Sequence, residues 1–261
     1  MLGWCQTVPV GISADQFQAL ARSSPWRWQT LHFSRDDWNV EAWIRRPGRM
    51  VVRHRDGGLS VESGPPQTLS RSSAQLTTPD QVEPRLRRDG LVAERPDDWQ
   101  IEYGDPFLVN YSWVAALDPV ELSHHVDVTD ARSEPLRGRP TWWARLRPQP
   151  GYEPRCSCCA LLWSTVSDAI ERDERGEPDE VDAKATFPVD YLAALDVQTG
   201  VVVSLRSGDE TEGLFTFEIV IHEVDGPVAP VDEAFDPRYS GRVRRPRSSS
   251  SPSSGTKTTA T

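Results

Sequence analysis

The feature that most limits the fold is Phe215-Thr216-Phe217-Glu218-Ile219-Val220-Ile221-His222, near the C-terminal end. Phe215, Phe217, Ile219 and Ile221 alternate with Thr216, Glu218 and His222. A repeat of two is the repeat of a β-strand with one dry face and one wet face. The same period runs through Trp28–Phe33 and again through Trp38, Val40, Ala42 and Ile44, with Ser34-Arg35-Asp36-Asp37 between them as a hairpin loop. Pro47-Gly48 then turns the chain into Arg49–Arg55, and Asp56-Gly57-Gly58 turns it into Leu59–Ser63. Connections this short join antiparallel neighbours, so the first quarter of the chain predicts a four-stranded meander.

Strand signals return at Val126–Arg132, at Arg139–Arg147 with Trp142, Ala144 and Leu146 on one face, and at Tyr191–Val197, Val201–Arg206 and Leu214–Val224. Helical spacing occurs in fewer places. Ser13 with Gln16 has capping-box spacing ahead of Phe17, Leu20 and Ala21, and Pro25 ends that helix. Phe107, Asn110, Tyr111, Val114 and Leu117 predict a second helix, started by Asp105-Pro106, and Asp118-Pro119 starts a short further piece. Gln67–Ser70 predicts one more strand, and the acidic stretch Asp168–Asp190 reads as a loop. The fold class is α+β: a single, strongly curved antiparallel sheet, a half-barrel, with helices packed in its concave face.

Charge separates a body from a tail. Six of the 29 basic residues and none of the 39 acidic ones fall in 238–261, so the first 237 residues carry a net charge of −16. A body this acidic argues against nucleic acid as a partner. Residues 1–236 form one domain, and residues 237–261, rich in Ser, Thr and Arg, predict a disordered basic tail. No apolar run is long enough to span a membrane. As written, the N-terminus has no basic region followed by an apolar run. This places the chain in the cytoplasm, and a start further upstream would move it outside.

The order of these features resembles the LolA-like family of bacterial lipid and lipoprotein carriers. The resemblance covers about residues 14–236. It is carried by an N-terminal helix leading to Ile44-Arg45-Arg46-Pro47-Gly48-Arg49, similar to the family's strand–Arg-Pro–strand corner, and by the Val61-Glu62-Ser63-Gly64 turn. Leu117-Asp118-Pro119-Val120-Glu121-Leu122, Leu195-Asp196-Val197-Gln198-Thr199-Gly200-Val201 and Phe217–Val224 with Phe235 continue it. The resemblance implies an apolar cavity between sheet and helices, with the arginine of the corner, Arg46 here, helping to close it. The expected ligand is a lipid or an acylated peptide, and the lining would be Trp28, Trp38, Ile44, Trp113 and Trp142. The competing reading is a protein-interaction or regulatory module in which the same tryptophans fill a core.

Cys156, Cys158 and Cys159 form C-x-C-C, which the family pattern does not require. Zinc sites are built from paired C-x-x-C knuckles supplying four ligands, and three thiolates this close in sequence do not easily face one ion. A fourth ligand would come from Cys5, His124, His125 or His222. A disulfide within the cluster, a redox-sensitive loop and plain buried thiols are the other readings. The chain has no G-x-S-x-G, H-E-x-x-H, P-loop or G-x-G-x-x-G, so it is read as a non-enzyme without a cofactor.

Overall fold

The computed structural model describes residues 11–64, 82–96, 105–106, 108–176, 186–208 and 217–238. Cys5, the strand expected at Gln67–Ser70, Phe107 and all but the first two residues of the expected tail lie outside these. The chain opens with helix α1 (Ala14–Ser23). Its capping box is formed as expected: the Gln16 amide donates to Ser13 Oγ at 3.1 Å, and the Ser13 amide donates to Gln16 Oε1 at 2.9 Å. These bonds satisfy amides that the first turn of a helix leaves without partners. Phe17, Leu20 and Ala21 are buried on one side, and Pro25 sits in a 3-10 turn, Ser24–Trp26, that ends the run.

Strands β1 (Thr30–Arg35), β2 (Val40–Arg45), β3 (Arg49–His54) and β4 (Leu59–Ser63) make the expected meander. Its first hairpin differs in detail. Asp36–Trp38 is a 3-10 turn and Asn39 has φ +50°, so Trp38 belongs to the turn and not to the second strand. Asparagine tolerates this left-handed backbone better than most residues. The register that follows puts Ile44 opposite Leu31, Ala42 opposite Phe33 and Val40 opposite Arg35. One face of the hairpin therefore carries all the residues committed to the main core. In the third turn, Asp56 Oδ1 accepts the Gly58 amide at 2.9 Å, and Gly57 has φ +83°, a conformation that glycine adopts without a Cβ clash.

A small hairpin of β5 (Arg85–Leu86) and β6 (Val92–Glu94) precedes α2 (Ser112–Leu117) and a 3-10 turn, Val120–Ser123. Helix α2 is shorter than its apolar spacing predicts, and Asp105-Pro106 does not start it. Next come β7 (Val126–Ser133), β8 (Thr141–Pro148), α3 (Thr165–Arg175), β9 (Tyr191–Asp196), β10 (Val202–Ser207), β11 (Phe217–Val224) and α4 (Ala229–Ala234). Helix α3 corrects the reading of Asp168–Asp190 as loop. Ser164 caps it, Gly176 at φ +67° closes it, and Arg172 and Arg175 pair with Asp168 and Glu171 one turn earlier. Such i,i+4 pairs support a helix whose apolar content is low.

The nine main strands form one antiparallel sheet in the order β4-β3-β2-β1-β11-β10-β9-β8-β7. The first and last strands pair at its centre, where Phe33 faces Ile221 and Arg35 faces Ile219. Among the described residues the sheet is open, with β4 and β7 as its edges. Helix α1 lies against β7, β8 and β9, and its Phe17 and Leu20 join one core with Trp28, Leu31, Phe33, Ile44, Met50, Trp113, Leu146 and Tyr191. On the other face Val228 and Val231, at and within α4, pack with Trp43 and Val51. No helix among the described residues is long and apolar enough to cross a membrane.

Candidate functional site

Arg35 ends β1 on the core face, and its guanidinium is buried, with 3% of the side chain exposed. It lies 3.9 Å from the centre of the Trp38 ring and 4.4 Å from that of Phe217. Trp38 in turn stacks on Trp113 with centroids 5.4 Å apart and planes 7° from parallel, and Phe33 meets Trp113 at 5.2 Å. Burial pulls the Arg35 pKa below its ordinary value, and a bidentate bond to Asp37 at 2.9 and 3.0 Å partly offsets that. Asp37 does not engage the whole fork. Arg35 Nη1 and Trp113 Nε1 are both buried donors with no acceptor among the described residues. A buried donor left unpaired costs about 1–3 kcal/mol. Two such donors in one aromatic cluster mark it as a place suited to an acceptor oxygen from elsewhere. Close by, an open depression of about 600 Å³ has Arg35, Asn39, Val40 and Arg53 in its lining.

The Arg-Pro corner is the second part of the site. Arg46 follows β2, and its guanidinium donates to both oxygens of Asp105 at 2.7–3.2 Å and to the Ser24 carbonyl at 2.9 Å. Its Cζ lies 3.4 Å from the centre of the Trp28 ring, and Trp28 Nε1 donates to Ser24 Oγ at 3.2 Å. Ser24 Oγ continues the chain to the Leu117 carbonyl at 2.5 Å. The sheet corner, the end of α1, the end of α2 and Asp105 are thus tied at one buried point. This is why Asp105 is no helix cap: its carboxylate is the counter-ion that a buried arginine requires.

A polar seam extends from this point. Asp118 is fully buried and pairs with Arg95 and, at 2.6 Å, with Arg155. Burial works against its ionisation, but Arg95 and then Arg155 outweigh burial and hold the carboxyl below its usual range. Glu121 accepts from the Tyr152 hydroxyl at 2.7 Å and from the amides of Arg155 and Leu161 at 2.9 and 2.8 Å. Burial nevertheless raises its pKa, and burial next to Glu121 pushes Tyr152 well up. The segment from Asp105 to Glu121 is held to the rest of the fold by charged contacts as well as by its apolar face.

The expected lining residues are partly gathered here. Trp28, Ile44 and Trp113 are buried in the main core, and Trp38 packs against it from the turn. Trp142 borders the same core from β8, with four strands between β8 and β2 in the sheet. Arg35, Asp105, Asp118, Glu121 and Tyr152 were not anticipated as site residues. One signal was available: three acids in the largely apolar run 105–122 require buried cations or hydrogen-bond donors if that run packs inside.

The thiols occupy a separate turn. Ser157–Cys159 is a 3-10 turn, and the sulfurs of Cys156, Cys158 and Cys159 all lie within 4.8 Å of one another. The turn thus gathers three sulfurs whose spacing in sequence makes a common focus difficult. Hydrogen bonding from Cys159 lowers the Cys156 pKa to about 6, while Cys158 and Cys159 are pushed up by the Cys156 sulfur beside them. His222 is no partner to these sulfurs. It lies on β11, with Ser34 Oγ at 3.1 Å and the His32 ring at 4.7 Å. Comparison with protein-family models, with curated proteins and with solved structures finds no match to this chain.

Proposed function

We propose that the chain is a non-enzymatic binder of an acyl-bearing ligand, a lipid or an acylated peptide, taken up between the sheet and the Asp105–Glu121 segment. The observation that carries this reading is the pair of unpaired donors, Arg35 Nη1 and Trp113 Nε1, within the Trp38–Trp113–Phe33–Phe217 cluster. An acyl chain brings apolar surface for the rings and a carbonyl or carboxylate oxygen for the donors. The Arg46–Asp105 contact supports the same reading, because a buried ionic tie contributes less net cohesion than the apolar packing it displaces and so leaves a seam that can part. The strongly curved half-barrel of the LolA-like family, with helices in its concavity, belongs to this proposal.

Titration with a fluorescent fatty acid, followed by quenching of tryptophan emission, tests it. Saturable binding tighter than roughly 10 μM, or about 7 kcal/mol, is expected. Arg35→Met should weaken it about 10- to 100-fold, the worth of one charge-assisted hydrogen bond. A folded protein that shows no saturable quenching would sink the proposal. That result would favour the second reading, a protein-interaction or regulatory module with a filled core, which the direct stacking of Trp38 on Trp113 supports.

A further inference from the structure

The C-x-C-C turn has a geometry that buried structural thiols do not need. A 3-10 turn has three residues per turn, so positions three apart lie above one another. Cys156 and Cys159 hold this relation, and the Cys159 amide donates to the Cys156 carbonyl at 3.3 Å. Cys158 reaches the same side. Its sulfur is 3.1 Å from that of Cys156 and 3.9 Å from that of Cys159. With metal–sulfur bonds of about 2.3 Å, a trigonal three-sulfur site needs sulfurs about 4 Å apart. The Cys158–Cys159 edge already has that length, and side-chain rotation that opens the Cys156–Cys158 edge by about 0.9 Å brings it there too.

The turn is also held in place. Ser157 is buried and donates to Glu174 Oε2 of α3 at 2.6 Å. Ala160, Leu161 and Leu162, immediately after it, are buried in the main core. Cys158 is exposed, so an ion has direct access. Ligands fixed by neighbours before the ion arrives bind it without an ordering cost.

We propose that Cys156, Cys158 and Cys159 form a three-coordinate site for a soft monovalent d10 cation of the copper(I) class. The number of ligands selects the ion. Among the described residues no fourth His, Cys, Asp or Glu joins the three sulfurs. A structural zinc ion takes four protein ligands in a tetrahedron, whereas an all-thiolate set suits copper(I). The metal binds thiolate sulfur, so any of the three still protonated gives up its proton on loading. The site lies on the loop after β8 and does not depend on the acyl-binding proposal.

The test uses the full chain, reduced and kept free of oxygen, and titrates copper(I) against a chromophoric copper(I) chelator. One copper per chain, with an X-ray absorption spectrum showing three sulfur neighbours, is the expected result. Replacing Cys156, Cys158 or Cys159 singly with Ser should weaken binding by more than about 100-fold, beyond the loss typical of an outer-shell change. Cys5→Ser should leave it unchanged. Circular dichroism and a urea midpoint for each variant establish that the fold is retained. Four-coordinate copper, tighter binding of zinc than of copper(I), or serine variants that keep wild-type affinity would each overturn the proposal.

Discussion

The tie between Arg46 and Asp105 lends itself to a quantitative test. Their side chains are 3% and 1% exposed, so neither charge is rescued by water if the other is removed. Asp105→Ala leaves the guanidinium with the Ser24 carbonyl and the Trp28 face, and no counter-ion. Stranding one member of a buried pair costs about 3–5 kcal/mol. Arg46→Met strands the carboxylate at a similar cost and replaces the cation–π attraction to Trp28, worth roughly 0.5–2 kcal/mol, by apolar packing. In the double variant neither charge remains, and methionine still covers Trp28. Its loss should be about 0–2 kcal/mol, well below the sum of the singles, with a coupling energy of about 3 kcal/mol or more. Urea unfolding at constant slope reads this directly. With a slope of about 2–3 kcal/mol per molar, a loss of about 3–5 kcal/mol moves the midpoint by roughly 1–2.5 M. A single-variant loss below about 1 kcal/mol is what an exposed pair gives, and it would refute the buried tie. Additive losses in the double variant would refute it equally.

The seam and the thiol turn give further predictions. Because Asp118 titrates below the usual range, its stabilisation is complete above the unfolded pKa of about 3.9 and is lost as pH falls through the folded value. Asp118→Asn should therefore cost about 3–5 kcal/mol near neutrality, with a deficit that shrinks on acidification below about pH 4 in urea melts. Glu121 acts in the opposite sense: its raised pKa makes the folded state take up a proton, so its contribution falls as pH rises through the ordinary glutamate range. In the metal-free, reduced protein, iodoacetamide should modify Cys156 first, with a pH–rate midpoint of about 6, as peptide mass spectrometry would show. Modification of Cys158 ahead of Cys156 would contradict that assignment.

Much of the fold is legible in the residues alone because its signals are short-range. Side-chain alternation along Phe217–Ile221, the Asp56-Gly57-Gly58 turn and the Ser13–Gln16 capping box each depend on residues a few positions apart, and all three are found where expected. Helix α3 was open to the same kind of reading, through Ser164, the Asp168–Arg172 spacing and Gly176, but its acidic content suggested a loop. The Arg-Pro corner drew attention to Arg46 as a residue closing a cavity; its bonds to Asp105 and the Ser24 carbonyl are not visible in the sequence. Tertiary structure was needed wherever partners are far apart in the chain. The pairing of β1 with β11 closes a gap of nearly the whole domain, and Arg46 meets Asp105 across 59 residues. Arg95, Asp118 and Arg155 likewise converge from separate segments. The apolar setting of the acids in 105–122 hints at burial, but nothing local names their partners; burial makes those partners necessary, by removing the water that would otherwise serve. The three cysteines show both sides of the distinction. Their spacing was plain in the sequence, but whether their sulfurs face one point depended on the backbone forming a 3-10 turn instead of a strand, in which alternate side chains point apart.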